Sequence, residues 1–179
     1  MKNFLLNYLK ENSILNGEFT LSSGEKSSYY IDARISTLSA ESLGVITDIF
    51  YEKITNKGLL YVGGPTIGAD PIVGAILNKS YIEKNPLKGF LVRSGQKQHG
   101  TKKAIEGPPL SDTEVVIVED VVSTGGSIIS AIEEVEKLGS KVVLILSIVD
   151  REMGARNKFL ELNIEYDPIF RISELIEPS

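Results

Sequence analysis

Residues Val115 to Gly139 read VVIVEDVVSTGGSIISAIEEVEKLG: an apolar run closed by two acids, Glu119 and Asp120, then Ser123, Thr124, Gly125, Gly126 and Ser127 ahead of a helical pattern. A turn of glycines and hydroxyls at a helix N-terminus offers unpaired N–H groups, partial positive charge and close backbone approach, a combination that suits phosphate. Carboxylates beside a phosphate repel it, so Glu119 and Asp120 must face another part of the same ligand, a sugar diol or a hydrated metal ion. The pattern is neither G-x-x-x-x-G-K-[ST] nor G-x-G-x-x-G. The plain alternative is a strand-to-helix turn whose acids cap a neighbouring element; two acids with five such residues favour the ligand.

Three further groups could do chemistry. Lys97, Lys102 and Lys103 surround the only histidine, His99, in the polar stretch 94–114, and such a basic loop suits a polyanion, solvated lysines being the bland reading. Arg93 stands immediately before that loop and Arg151 follows Asp150 at the end of KVVLILSIVD. GGPTIGAD is a second glycine-rich turn whose free N–H groups could hold an anion, although Pro65 and Gly68 could be simple turn residues and Asp70 a helix cap.

These residues need elements to position them. Leu5, Leu9 and their neighbours recur at helical spacing over the first dozen residues, read as a short helix serving as a lid or dimer element. Phe19 and Leu21 alternate, a Ser23-Gly24-Glu25-Lys26 turn follows, and YYID completes a hairpin. Residues 40–54 are helical, and from there short apolar runs (59–64, 89–93, 115–120, 141–150) alternate with helices near 68–79, 127–138 and 154–162. That alternation predicts an α/β fold with a central, mainly parallel sheet flanked by helices. In such a sheet, ligands bind beyond the carboxyl ends of the strands, where the two acids fall. The 94–114 stretch, long and without periodicity between two strands, reads as a functional loop.

A chain of 179 residues with 42% hydrophobic and 24% charged residues is expected to fold as one domain, with small N-terminal hood elements over about 1–35 and a core over about 36–179. The absence of cysteine excludes thiol nucleophiles and zinc-thiolate sites. No run approaches the ~20 apolar residues of a membrane span, so the expectation is a cytoplasmic protein without membrane partners. A net charge of −5 argues against a nucleic-acid surface.

VVIVEDVVSTGGS resembles the phosphoribosyl-pyrophosphate motif of the type I phosphoribosyltransferases. FTLSSGEKSSYYIDAR, GGPTIGADPIV, LVRSGQKQHGT and SIVDREMGA are similar, in order and spacing, to segments of the orotate phosphoribosyltransferases, and together they span most of the chain. The resemblance implies Mg²⁺-dependent transfer of phosphoribosyl from 5-phosphoribosyl 1-diphosphate to N1 of orotate. It assigns Arg93, Glu119, Asp120 and Ser123 to Ser127 to the sugar donor, with Asp120 also catalytic. Ser123, Arg151, Tyr29 and Tyr30 fall to orotate, with Arg151 on its carboxylate. Lys97 and His99 become catalytic groups acting in trans within a homodimer. No protein side chain would ligate the metal directly; Mg²⁺ would arrive on substrate oxygens and water.

The chain departs from the family pattern where many members carry cations, at Ser22, Gly68 and Ser94, with Lys26 a candidate replacement. Two rival readings fit the same turn. A purine phosphoribosyltransferase would have no carboxylate for Arg151. A regulator that senses the sugar donor and binds nucleic acid would need a basic face.

Overall fold

A computed structural model describes residues 1–20, 26–93 and 103–176. The N-terminal elements are α1 (Lys2–Asn12), the hairpin strands β1 (Ile14–Thr20) and β2 (Lys26–Ile31), and the helices α2 (Arg34–Thr37) and α3 (Ala40–Asn56). Then come β3 (Tyr61–Pro65), α4 (Ala69–Ile82), β4 (Lys88–Val92), β5 (Ile105–Glu106), β6 (Glu114–Val122), α5 (Gly126–Glu136), β7 (Lys141–Asp150), α6 (Ala155–Glu161), β8 (Glu165–Arg171) and α7 (Ile172–Leu175). The larger sheet has the order β5-β4-β3-β6-β7-β8, parallel throughout except for the edge strand β5, and β1-β2 form a separate antiparallel pair.

The unbroken apolar run of β6 follows from burial on both faces of the sheet. Val116 and Val118 join a core with α1, α3 and α4, whereas Val115 and Ile117 join a second core with α5 and α6. Alternation therefore continues into the acids: Glu119 shares parity with the α5 side and Asp120 with the hood side.

Several expectations are corrected. Helix α1 is no lid: Leu5 and Leu9 are fully buried in the main core, because their four-residue spacing stacks both on one face. Strand β6 runs two residues past Asp120, with Val121 and Val122 paired to Val149 and Asp150, so the acids lie within the strand and not at its tip. The loop after Arg93 is not structureless throughout, since Ile105 and Glu106 pair back onto Val92 and Leu91. Asp70 does not cap α4; Gly68 holds the cap position, without a side-chain bond, and Asp70 Oδ1 is buried with no partner. Strand β8, EYDPIFR, carries Pro168 and so lacks a strand signature; it is tolerated at the edge of the sheet, where a missing N–H costs no ladder bond.

Glycines set how closely the strand ends approach. β3 pairs with β6 only as far as Gly63 with Ile117. Beyond that, a Cβ on Gly64 would collide with the Val118 carbonyl oxygen and stand 2.7 Å from the Ala69 Cβ. Gly64→Ala is expected to cost about 1–3 kcal/mol as an overpacked site, lowering the melting midpoint by about 3–10 °C in calorimetry, and to weaken substrate binding through displacement of the adjacent Glu119.

Candidate active site

The carboxyl ends of β3, β4, β6 and β7 share one edge of the sheet, and the groups singled out from the sequence gather there. Glu119 is buried, at 7% exposure. Its carboxyl accepts from the Asp120 backbone N–H at 3.2 Å. Asp120, half-buried, accepts from the Val121 N–H at 2.6 Å and lines a 260 Å³ cavity with Tyr30, Arg34, Ile67 and Gly68. Burial, reinforced by the adjacent Asp120 carboxylate, pushes the Glu119 carboxyl well above its ordinary pKa. The two acids thus face different parts of the mouth while sharing one electrostatic environment.

Both press on the backbone of the second glycine turn. A Cβ on Gly68 would stand 2.6 Å from Asp120 Oδ1 and closer still to Glu119 Oε1. With the acids as they stand, a side chain at 68 would have to push their carboxylate ends aside. Burial also raises the pKa of Asp70, two residues on.

The phosphate-type turn is built as its composition predicts. Gly125, at φ 80°, caps α5, and its Cα packs so tightly on α6 that a Cβ would meet the Phe159 ring at 2.9 Å. Ser123 is half-buried, and Thr124, Gly126 and Ser127 are exposed, so the first N–H groups of α5 open toward solvent. Lys158 of α6 donates to the Thr124 carbonyl at 2.9 Å, which steadies the turn from behind. Nothing in the chain's pattern points to this contact, since a lysine on a short helix reads as solvated.

Arg93 follows β4 directly and shares a 370 Å³ cavity with Thr66, Ser127 and Ser130. Its guanidinium pairs with Glu106 at 3.3 Å, both side chains being well exposed. The Arg93 N–H donates to Ala104 O at 2.8 Å, so the two ends of the 94–102 excursion are clasped together. Lys97 and His99, with Ser22 and Ser94, lie outside the described residues. Lys26 is exposed at the start of β2.

Register brings Ser123 beside Arg151: Val122 pairs with Asp150, and the Arg151 N–H donates to Val122 O at 2.8 Å. Arg151 Nε is buried without a hydrogen-bond partner, and its guanidinium lies 5.5 Å from the centre of the Tyr29 ring. The turn that carries it is tied by Asp150, whose Oδ1 accepts from the Glu152 N–H at 2.8 Å. Tyr29 and Tyr30, as neighbours in a strand, face opposite sides. Tyr29 lies over Arg151, while Tyr30 packs 5.7 Å from Phe19 and borders the Asp120 cavity. The sequence reading missed Asp32 and Arg34 at that cavity, although YYIDAR displays them directly after the tyrosines.

A parallel sheet with an acid pair, a glycine–hydroxyl turn on a helix N-terminus and surrounding arginines defines an enzyme class that handles sugar phosphates. Residues 39–165 match the family model described as the phosphoribosyl transferase domain. The orotate phosphoribosyltransferase of Methanosphaera stadtmanae is 42% identical over 97% of this chain and 95% of its own length. The solved orotate phosphoribosyltransferase of Mycobacterium tuberculosis superposes with a TM-score of 0.84 at 32% identity, covering 97% of this chain and 98% of that one. Its complex with 5-phospho-α-D-ribosyl 1-diphosphate gives 0.81 at 30% identity, covering 97% and 98%. Adenine phosphoribosyltransferase of Leishmania donovani, at 18% identity, TM-score 0.71 and coverage of 97% and 82%, shares the fold alone. This chain belongs to the orotate phosphoribosyltransferase family.

Burial of Glu119 has a thermodynamic consequence. A carboxyl with a raised folded-state pKa binds more protons folded than unfolded, so its contribution to stability falls as pH rises from the ordinary glutamate value of 4.5 through the folded one. Glu119→Gln removes this penalty. Its melting midpoint is expected to match wild type near pH 4.5 and to exceed it by about 2–4 °C at neutral pH, the size of a ~1 kcal/mol effect in a chain of this length, while activity falls.

Proposed function

We propose that this enzyme transfers the phosphoribosyl group of 5-phosphoribosyl 1-diphosphate to N1 of orotate, yielding orotidine 5′-monophosphate and pyrophosphate, a cytoplasmic step of pyrimidine nucleotide synthesis. The bond from the ribose C1 to the diphosphate oxygen breaks, the diphosphate leaves with the electron pair, and the C1–N1 bond forms as orotate gives up its N1 proton. The observation that carries the choice of base is Arg151: a guanidinium with a buried, unpartnered Nε, beneath Tyr29 and beside Ser123, is suited to a ligand carboxylate that its fork can grip by both oxygens.

The other roles follow from placement. The turn from Ser123 to Ser127 takes the 5′-phosphate on the free N–H groups of α5. Glu119 and Asp120 face the ribose hydroxyls, where a carboxylate accepts hydrogen bonds and supports positive charge developing on the sugar. Arg93 takes up diphosphate charge. The hard carboxylate oxygens at this mouth are compatible with Mg²⁺ carried by ribose and diphosphate oxygens and keeping most of its water. When bound, the ion would offset negative charge on the leaving group. Lys97 and His99 close over that leaving group in the neighbouring subunit of a homodimer, excluding water as they do so. Support for the loop's base comes from its clasp, Arg93 to Ala104. In this reading the whole chain is one working domain, with the hood elements of residues 1–35 packed on the core.

The test is the absorbance change of orotate with the sugar donor and Mg²⁺, run beside Arg151→Ala and with adenine, guanine and uracil in place of orotate. Orotate is expected to disappear only when all components are present. Arg151→Ala is expected to lose about 10²-fold in kcat/KM, the size of one or two charged hydrogen bonds. Consumption of a purine in place of orotate would overturn the assignment of the base.

A further inference from the structure

We propose that Arg34, held in place by Asp32, is a diphosphate-binding residue supplied by the hood side of the site; the inference rests on the reading of the sugar donor given above. Arg34 Nε and Nη2 donate to the two oxygens of Asp32 at 2.8 and 3.1 Å, and the Arg34 backbone N–H also donates to Asp32 Oδ1 at 3.2 Å. A two-residue separation thus makes a bidentate fork whose orientation is fixed before any ligand arrives. The Asp32 carboxylate occupies the Nε and Nη2 edge, which leaves the Nη1 edge for a second anion.

That fork lines the 260 Å³ cavity shared by Asp120 and the Ile67–Gly68 turn, and among the described residues lining it Arg34 is the only base. Asp32 and Asp120 both contribute negative charge to the cavity, and a diphosphate entering beside the Ile67–Gly68 turn would bring more, so the free edge of the Arg34 guanidinium is the cationic contact such a ligand meets there. The turn itself brings no cation, since Ile67 and Gly68 are its lining residues. The hood is the remaining wall. Arg34 lies within electrostatic reach of Asp120 and is 49% exposed, so the fork can meet a ligand without burying an isolated charge. Asp32 in turn is held below the usual carboxylate range, first by the hydrogen bond from Arg34, so the clamp stays ionised through the neutral range.

The experiment measures inorganic pyrophosphate binding in the presence of Mg²⁺ by calorimetry, and KM for each substrate, on wild type, Arg34→Gln, Arg34→Lys and Asp32→Asn. Arg34→Gln is expected to bind pyrophosphate about 10-fold more weakly and to raise KM for the sugar donor by a similar factor, with KM for orotate within about twofold of wild type. Arg34→Lys, which keeps the charge and loses the fork, falls between, and Asp32→Asn loosens the fork with a smaller loss. The melting midpoint of Arg34→Gln should stay within about 2 °C of wild type, because exposed ion pairs contribute little stability. Should that variant not fold, Arg34→Lys decides by the same comparison. Wild-type pyrophosphate affinity in the folded Arg34 variants, or a change confined to orotate, would overturn the role of Arg34 while leaving the enzyme's reaction intact. Failure of the wild-type protein to bind pyrophosphate or consume any base would instead overturn the functional reading on which it rests.

Discussion

Two adjacent carboxyls held against glycine backbone at the mouth of a parallel sheet are the constraint around which this molecule is arranged. Strand β6 is nine residues long and its neighbour β3 five, and their pairing stops at Gly63 with Ile117, so Glu119 and Asp120 lie past the shared ladder and against the backbone of Gly68. Burying a carboxylate is costly unless it is hydrogen-bonded or neutralised, and two side by side cannot both ionise freely. Partial relief comes from the Asp120 N–H and the Val121 N–H. The remaining cost is the kind a binding site retains, because groups already dehydrated and fixed need little reorganisation when a ligand arrives. The glycines at 64 and 68 follow from the same constraint, since any side chain there would displace the acids or the strand that presents them.

Positive charge is distributed around the acids instead of being paired with them. Arg34 lies on the hood side, Arg93 at the end of β4 and Arg151 at the end of β7, while the N-terminus of α5 adds its partial charge between them. A chain with a net charge of −5 can therefore still offer guanidinium groups and a helix N-terminus to a polyanion. Tight strand and helix packing behind the site fixes these positions, with Phe159 and Ala155 pressed on Gly125 and Lys158 bonded to the turn.

The hood depends on the core for its existence. A two-stranded hairpin is marginal by itself in water, and here the residues flanking it supply the anchor. Ser13 and Ser36 share a buried hydrogen bond of 2.7 Å, the Asp32 N–H donates to Ser13 O at 2.9 Å, and Ile31 and Ala33 enter the main core. The segment that ends the hairpin thereby fixes the Asp32–Arg34 fork and places Tyr29 over Arg151.

The sequence by itself determined the parallel α/β architecture, because strands buried on both faces must be apolar throughout and the helices between them must carry a 3.6-residue stripe; strand β7 is found at 141–150 as read. It also determined the phosphate-type turn, whose glycine and hydroxyl content states its own backbone chemistry, and with the family resemblance it named Arg151. Tertiary structure alone decided that Glu119 and Asp120 lie inside β6 and not at its tip, since strand length depends on how far β7 continues beside it. The same holds for α1, placed in the core, and for β8, a strand despite its proline because it occupies a sheet edge. Arg34, Asp32 and Lys158 show the limit most clearly. Arg34 and Asp32 pair locally, but packing of the hood sets the cavity they face; Lys158 meets the Thr124 carbonyl only because α6 packs on the turn, and neighbours across space leave no period in the chain that carries them.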